Sequence, residues 1–225
     1  NVGWSYADVL PYFKRSERHA LGESAYHGGD GPLGVSRSSV RNPMARAWIA
    51  AAVEAGYSYN EDINGARREG FGPTEVTISK GRRMSTAATY LRAARGRSNL
   101  TIVTKAFARR ILFDGLSAVG VEYSRDGSVE QAFADGEVVL SGGVFNSPHL
   151  LMLSGVGDAD HLRALGLDVR LDLKGVGLNF HDHLGFSVQV ACPLPVSDYR
   201  YMNPLGAALA AGRFVFGGKG PLVAE

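Results

Sequence analysis

Apolar residues in this chain recur first at helical spacing and later at strand spacing. Ser5 and Asp8 stand three apart ahead of Leu10 and Phe13, the arrangement of a capping box, and predict a short helix ending near Arg18. Asn42-Pro43 supplies an N-cap and first helical position for a second helix, with Met44, Trp48, Ile49 and Val53 on one face and Gly56 as its stop. Ser85 predicts the cap of a third helix over 86–95, with Ala88, Leu91 and Ala94 as its apolar stripe. Residues 58–73 are rich in turn formers, and 75–79 reads as a short strand.

Past residue 100 the period shortens to two. Residues 100–104, 108–113, 118–123 and 137–141 read as strands, separated by turn pairs such as Asp114-Gly115 and Asp126-Gly127. Ser147-Pro148 predicts the cap of a helix reaching Leu153, and Asp158 starts another that Gly166 stops. Residues 169–171 and 185–191 read as extended and 205–216 as helical, with no internal repeat. The pattern predicts a mixed α/β protein with an antiparallel component.

Composition changes this picture in a few respects. The chain has 225 residues, 45% apolar, and its 24 basic and 22 acidic residues leave a net charge of +2. These charges are interspersed, with no basic block to follow a phosphate backbone, which argues against nucleic-acid binding. A single cysteine, Cys192, can build neither a disulfide framework nor a thiolate zinc cluster, and points to a reducing, cytoplasmic setting. The longest apolar stretch, around Ala207 to Ala211, is far short of a membrane span, and no signal peptide is recognised. The chain opens at Asn1 directly into Gly3-Trp4-Ser5-Tyr6 and stops at Val223-Ala224-Glu225, so the expectation is an internal segment of a longer protein.

Local motifs for chemistry are sparse. Gly175-Val176-Gly177 does not continue to a third glycine, and no P-loop is present, so the usual anchor for a pyrophosphate is missing. His181-Asp182-His183 offers imidazole and carboxylate, but on a strand only the two histidines would share a face, and no local third ligand exists for a metal. Ser154-Gly155-Val156-Gly157 is superficially like a nucleophile elbow, yet Met152 stands where that motif needs glycine, leaving a helix-ending turn. His149 and His161 fall on predicted helices and read as surface residues, and Asn99-Leu100-Thr101 is a sequon that a cytoplasmic chain would not use. Ser141-Gly142-Gly143, after a predicted strand, would let a flat ligand come close.

Longer stretches carry a family likeness. Gly143-Val144-Phe145-Asn146-Ser147-Pro148-His149-Leu150-Leu151-Met152-Leu153-Ser154-Gly155-Val156-Gly157 closely resembles the second signature of the glucose–methanol–choline oxidoreductases, with Val144 at the usual small residue. Leu173-Lys174-Gly175-Val176-Gly177-Leu178-Asn179-Phe180-His181-Asp182-His183-Leu184 is similar to another of its motifs, with Lys174, Phe180 and His181 as departures. Glu69-Gly70-Phe71-Gly72-Pro73, Gly81-Arg82-Arg83-Met84-Ser85 and Ala118-Val119-Gly120-Val121-Glu122-Tyr123 follow in family order. Trp4-Ser5-Tyr6 and Tyr26-His27-Gly28-Gly29-Asp30-Gly31-Pro32 look most like the choline dehydrogenase branch.

That resemblance implies an FAD-binding, Rossmann-like domain interleaved with a substrate domain built on an antiparallel sheet. By position, 1–36 would be an extended FAD-domain or lid segment, 37–86 and 183–225 substrate-domain segments, and 87–182 part of the FAD domain. The backbone of Ala108 would meet the adenine, and the strand end at Ser141 and Gly142 would lie near the nucleotide. The family's glycine-rich pyrophosphate unit and catalytic histidine have no counterpart here, so no catalytic residue and no metal ligand is assigned. The implied activity is FAD-dependent oxidation of an alcohol, choline-like or another primary alcohol, with hydride passing to flavin N5 and oxygen or a quinone as acceptor. A hydroxynitrile lyase of the same family and a non-catalytic remnant are the alternatives. A homo-oligomer, or membrane association through the electron acceptor, is compatible with this reading.

Overall fold

The computed structural model describes residues 2–38, 40, 42–187, 191, 192, 194 and 196–217. They form two compact units, one of residues 1–100 with 189–225 and one of residues 101–188.

In the first unit, α1 (Tyr6–Ser16) starts from the expected capping box: the Asp8 N–H donates to Ser5 Oγ, and the Ser5 N–H donates back to Asp8 at 3.0 Å. The helix runs straight into β1 (Glu17–His19), which lies parallel to β2 (Leu33–Arg37). Next comes α2 (Pro43–Glu54), where Asn42 Oδ1 accepts from the Met44 N–H at 2.9 Å as an N-cap should. The strand expected over 75–79 divides in two. β3 (Glu75–Val76) pairs antiparallel with β2, whereas β4 (Ile78–Ser79) forms a hairpin with β5 (Arg82–Arg83). The division falls at Thr77, whose carbonyl accepts from the Met84 N–H at 2.8 Å.

The helix expected over 86–95 is present but widened. Ala87–Leu91 is π-helical and only Arg92–Ala94, α3, is α-helical. Thr89 is the cause: its N–H and its hydroxyl both go to the Ser85 carbonyl, at 3.0 and 2.9 Å, while the Leu91 N–H reaches back five residues to Thr86.

The second unit opens with a meander of β6 (Phe107–Asp114), β7 (Ser117–Arg125) and β8 (Ser128–Phe133), each antiparallel to the next. Asp126 and Gly127 hold φ of +49° and +83°, the two-residue turn whose twist matches the flanking strands. Two of the four expected strands are therefore β6 and β7. β8 is additional, because its six residues are all exposed and carry no apolar alternation. Residues 100–104 and 137–141 pair with nothing among the described residues, since a strand exists only where a neighbouring edge takes up its N–H and C=O groups.

α4 (Gly143–Leu153) packs on β6. It begins before Ser147, so Ser147 and Pro148 sit inside it rather than at its cap. The reason is Gly143, which takes a φ of +85° and turns the chain into the helix early. The Ser147 hydroxyl still accepts from the Gly142 N–H at 3.0 Å. β9 (Val156–Gly157) pairs parallel with β10 (Leu171–Asp172), and α5 (Ala159–Ala164) is capped by Asp158 as expected. Val156, Ala159 and the fully buried Leu162 make a small apolar centre here.

Gly155 fixes this corner. Its φ is +84°, and a Cβ would lie 2.6 Å from the Asp168 carbonyl oxygen. Gly155→Ala is expected to lower stability by about 1–3 kcal/mol. Chemical denaturation of the full-length protein measures this, and an unchanged midpoint would refute the backbone assignment.

Returning to the first unit, a 3₁₀ turn (Asp198–Tyr201) leads to α6 (Pro204–Gly217), close to the helix expected over 205–216. Of the extended stretch expected over 185–191, residues 185–187 have no regular structure and 188–190 lie outside the described residues. No helix among the described residues is long and apolar enough to cross a membrane.

Candidate functional site

The second unit holds a cavity of about 380 Å³ between β6, β7 and the turn into α4. Ala106, Phe107 and Ala108 line it from the start of β6, and Val121 from β7. Val138 to Gly142 and then Asn146, Ser147, His149 and Leu150 line it from the approach to α4 and from the helix itself. Ala108, Ser141 and Gly142, distant in sequence, thus border one space.

Local structure explains the placement of each. Ala108 pairs with Tyr123, but the next pair is Arg110 with Glu122, so Arg109 is a bulged residue beside Ala108. A bulge bends the strand and turns the backbone at that point. Glu122 anchors the bulge from β7. Arg110 donates to it at 2.9 Å and Arg109 lies at 3.8 Å, and the Arg110 bond, joined by Gln131, holds its carboxyl below the usual range. On the opposite side, Gly142 leaves the approach bare of side chain: a Cβ there would come within 3.1 Å of Asn146 Cβ. Ala108, Ser141 and Gly142 keep part of the wall low, the rest is mainly apolar, and the volume falls in the range of small-molecule sites.

The motif residues without a part in this cavity have structural roles. Gly177 holds a φ of +78°, a Cβ there would lie 3.4 Å from the Met152 methyl, and consecutive turns, from Leu178 to Gly175 and Val176 to Leu173, occupy the Gly175-Val176-Gly177 backbone. Phe180 stacks obliquely on Phe145, with ring centroids 5.3 Å apart. His181 and His183 are exposed and on no strand, and Asp182 accepts from the His183 N–H.

A second cluster, which the sequence did not reveal, is buried in the first unit. His27 Nδ1 lies 3.2 Å from both oxygens of Glu17, and its Nε2 lies 3.2 Å from both oxygens of Asp62. His19 stacks on His27 at 4.1 Å and bonds Glu75 at 2.7 Å, and Glu75 in turn accepts from Asn64. Burial alone would lower the His27 pKa, but the bonds to Asp62 and Glu17 outweigh it and raise the value above 6.5. With a carboxylate at each nitrogen, the ring is placed as an imidazolium, a double donor. The Leu21 N–H donates to His19 Nδ1, which leaves the His19 proton on Nε2 facing Glu75.

Five potential ligands so close raise the question of a metal. The ring stack argues against it. Imidazole lone pairs lie in the ring plane, and two rings 20° from parallel with centroids 4.1 Å apart are poorly placed to share one ion, which counts against the grouping of Glu17, His19 and His27. The cluster is a hydrogen-bonded clamp joining the 17–28 region to 60–75. The only sequence signal for it is Glu17 and His19 two apart on a strand face.

Comparison with known proteins gives the family. Residues 1–185 match the GMC oxidoreductase family. The chain is 49% identical over 203 residues to the mitochondrial choline dehydrogenase of Mus musculus, covering 90% of this chain and 34% of that protein. It is 46% identical over 214 residues to the oxygen-dependent choline dehydrogenase of Rhizobium meliloti, covering 95% and 39%. Among solved structures, an FAD-dependent oxidoreductase from Chaetomium thermophilum superposes with a TM-score of 0.83 at 26% identity, over 99% of this chain and 42% of that one. The chain thus spans about a third of the length of the curated relatives it matches.

Proposed function

The chain belongs to the GMC oxidoreductases, and from that membership we propose that it supplies part of the FAD site of an enzyme oxidising a primary alcohol, choline-like in character, to an aldehyde. The observation that carries the proposal is the meeting of Ala108, Ser141 and Gly142 around one slot. In this reading the Ala108 backbone bonds the adenine edge and the small residues at Ser141 and Gly142 let the nucleotide lie against the chain. FAD, when bound, supplies a hydride acceptor at N5. The residues of this chain bind and orient its nucleotide end and keep water from it; none is assigned the proton transfer. Residues 87–182 would belong to the FAD domain, with 1–36 as its extended or lid segment and 37–86 and 183–225 on the substrate side.

The acceptor is proposed to be oxygen or a quinone, in a cytoplasmic enzyme with scope for homo-oligomerisation. Both curated relatives are dehydrogenases, which favours oxidation over lyase chemistry. The test compares FAD with FMN, which lacks the adenosine. Gly142→Val fills the slot, and is expected to weaken FAD binding by tenfold or more, about 1.4 kcal/mol. In the full-length protein FMN affinity should stay the same, and dye reduction by choline should need an about tenfold higher FAD concentration in Gly142→Val. Equal FAD binding by Gly142→Val and the unaltered protein would defeat the adenine assignment.

A further inference from the structure

The slot needs its two walls at a fixed separation, and one side chain joins them. Ser154 follows the last turn of α4, and its hydroxyl donates to the Leu150 carbonyl at 2.5 Å, a bond within the helix end. The same oxygen accepts from the N–H of Ile111, 43 residues away, at 2.8 Å. Leu150 lines the cavity, and Ile111 lies three residues after Ala108 on the same strand.

From this we infer that Ser154 is a positioning residue for the flavin's nucleotide end, setting the spacing between β6 and α4. The inference rests on the FAD reading given above. A serine bonding its own i−4 carbonyl is common and merely local. The bond to Ile111 is not. Among the described residues β6 is an edge of the three-stranded sheet with β7 as its one strand neighbour, so alternate N–H groups face away from the ladder. The Ile111 N–H is one of these, on a residue that is itself buried, and it needs an acceptor.

The site of attachment also matters. The β6–β7 register breaks between Ala108 and Arg110 and again between Leu112 and Phe113, so the paired run 110–112 is bounded by an irregularity on each side. Ser154 pins that run from outside the sheet, between the two irregularities. Without it, the strand bearing Ala108 is free to shift against the helix bearing Leu150 and Ser147.

The experiment uses the full-length flavoprotein, stripped of flavin and titrated with FAD at a temperature where each variant is folded by circular dichroism. Ser154→Ala is expected to weaken FAD binding about tenfold, and Ser154→Thr, which keeps the hydroxyl, to restore it to within about threefold. A serine that only stabilises the fold would lower Tm and leave the FAD Kd unchanged. If Ser154→Ala does not fold, Ser154→Cys takes its place, keeping the volume and exchanging the hydroxyl for a weak thiol partner. A Kd for the Ala or Cys variant within twofold of the unaltered protein, or a folded Thr variant as weak as Ala, overturns the inference. If the unaltered protein itself fails to take up FAD, the functional reading fails and this inference falls with it.

Discussion

Residues 1–225 produced as an isolated chain are expected to lose added FAD on desalting, to show no turnover with choline or simple alcohols, and to bind a hydrophobic dye strongly. The reason lies in exposed surface. The chain presents 17244 Å² to solvent. Two compact units of half its mass would together expose about 12,000 Å² by the usual scaling of area with size. Among the described residues the buried apolar set is Ile111, Val156, Ala159, Leu162 and Ala210, while Trp4, Phe133, Phe186 and Phe216 stand open to water. So small a buried set cannot offset the entropy of ordering the backbone. The chemistry is short of parts as well. No glycine-rich turn here takes a pyrophosphate. A well-placed general base is worth about 10²–10⁴ in rate, and none of these residues is assigned that role. Stoichiometric flavin after desalting, with steady dye reduction, would show that the essential residues are all within this segment.

His27→Leu in the full-length protein is expected to destabilise the fold by about 3 kcal/mol, because it leaves two carboxylates facing an apolar side chain. The cost lies at the low end for a buried ion pair, since Asp62 is 37% exposed and water can still reach it. The histidine side chain is 6% exposed and Glu17 16%, so that side of the clamp is nearly dry. The same geometry sets a pH dependence. His27 titrates higher in the folded protein than its ordinary 6.5. Protonation is thus favoured by folding, and its contribution is complete below the unfolded value and is lost as pH rises through the folded one. The groups facing the ring are Glu17, Asp62 and the stacked His19, with Glu75 and Asn64 behind His19. Urea midpoints taken from about pH 6 to pH 9 should fall for the unaltered protein and stay nearly level for His27→Gln, whose amide bonds without titrating. A fall of equal size in His27→Gln would place the titration elsewhere.

Local rules were sufficient for much of the architecture. The Ser5–Asp8 box, the Asn42-Pro43 start, the Asp126-Gly127 turn and the Asp158 cap each depend on residues within one turn of each other. Such contacts are visible in sequence because the chain itself holds the partners close. The signature from Gly143 to Gly157 likewise pointed to the family, and through it to Ala108, Ser141 and Gly142, which border one cavity.

Several features depended on partners far away. Residues 137–141 carry the β-favouring run Val138-Val139-Leu140 but pair with nothing described, while β8 pairs because β7 offers it an edge. Thr89 turned an expected α-helix into a π-helical one through a second bond to Ser85. Ser154 read as the end of a helix, and its bond across 43 residues to Ile111 was invisible until β6 lay beside α4. His27 read as part of a glycine-rich loop, and its imidazolium character comes from Asp62, 35 residues on. Sequence by itself determined the helix caps, the tight turns and the β6–β7 strands, and to which family the chain belongs. Tertiary structure alone decided the slot's walls and the clamp's charge, because burial and hydrogen bonding between distant residues depend on distances that sequence spacing does not encode.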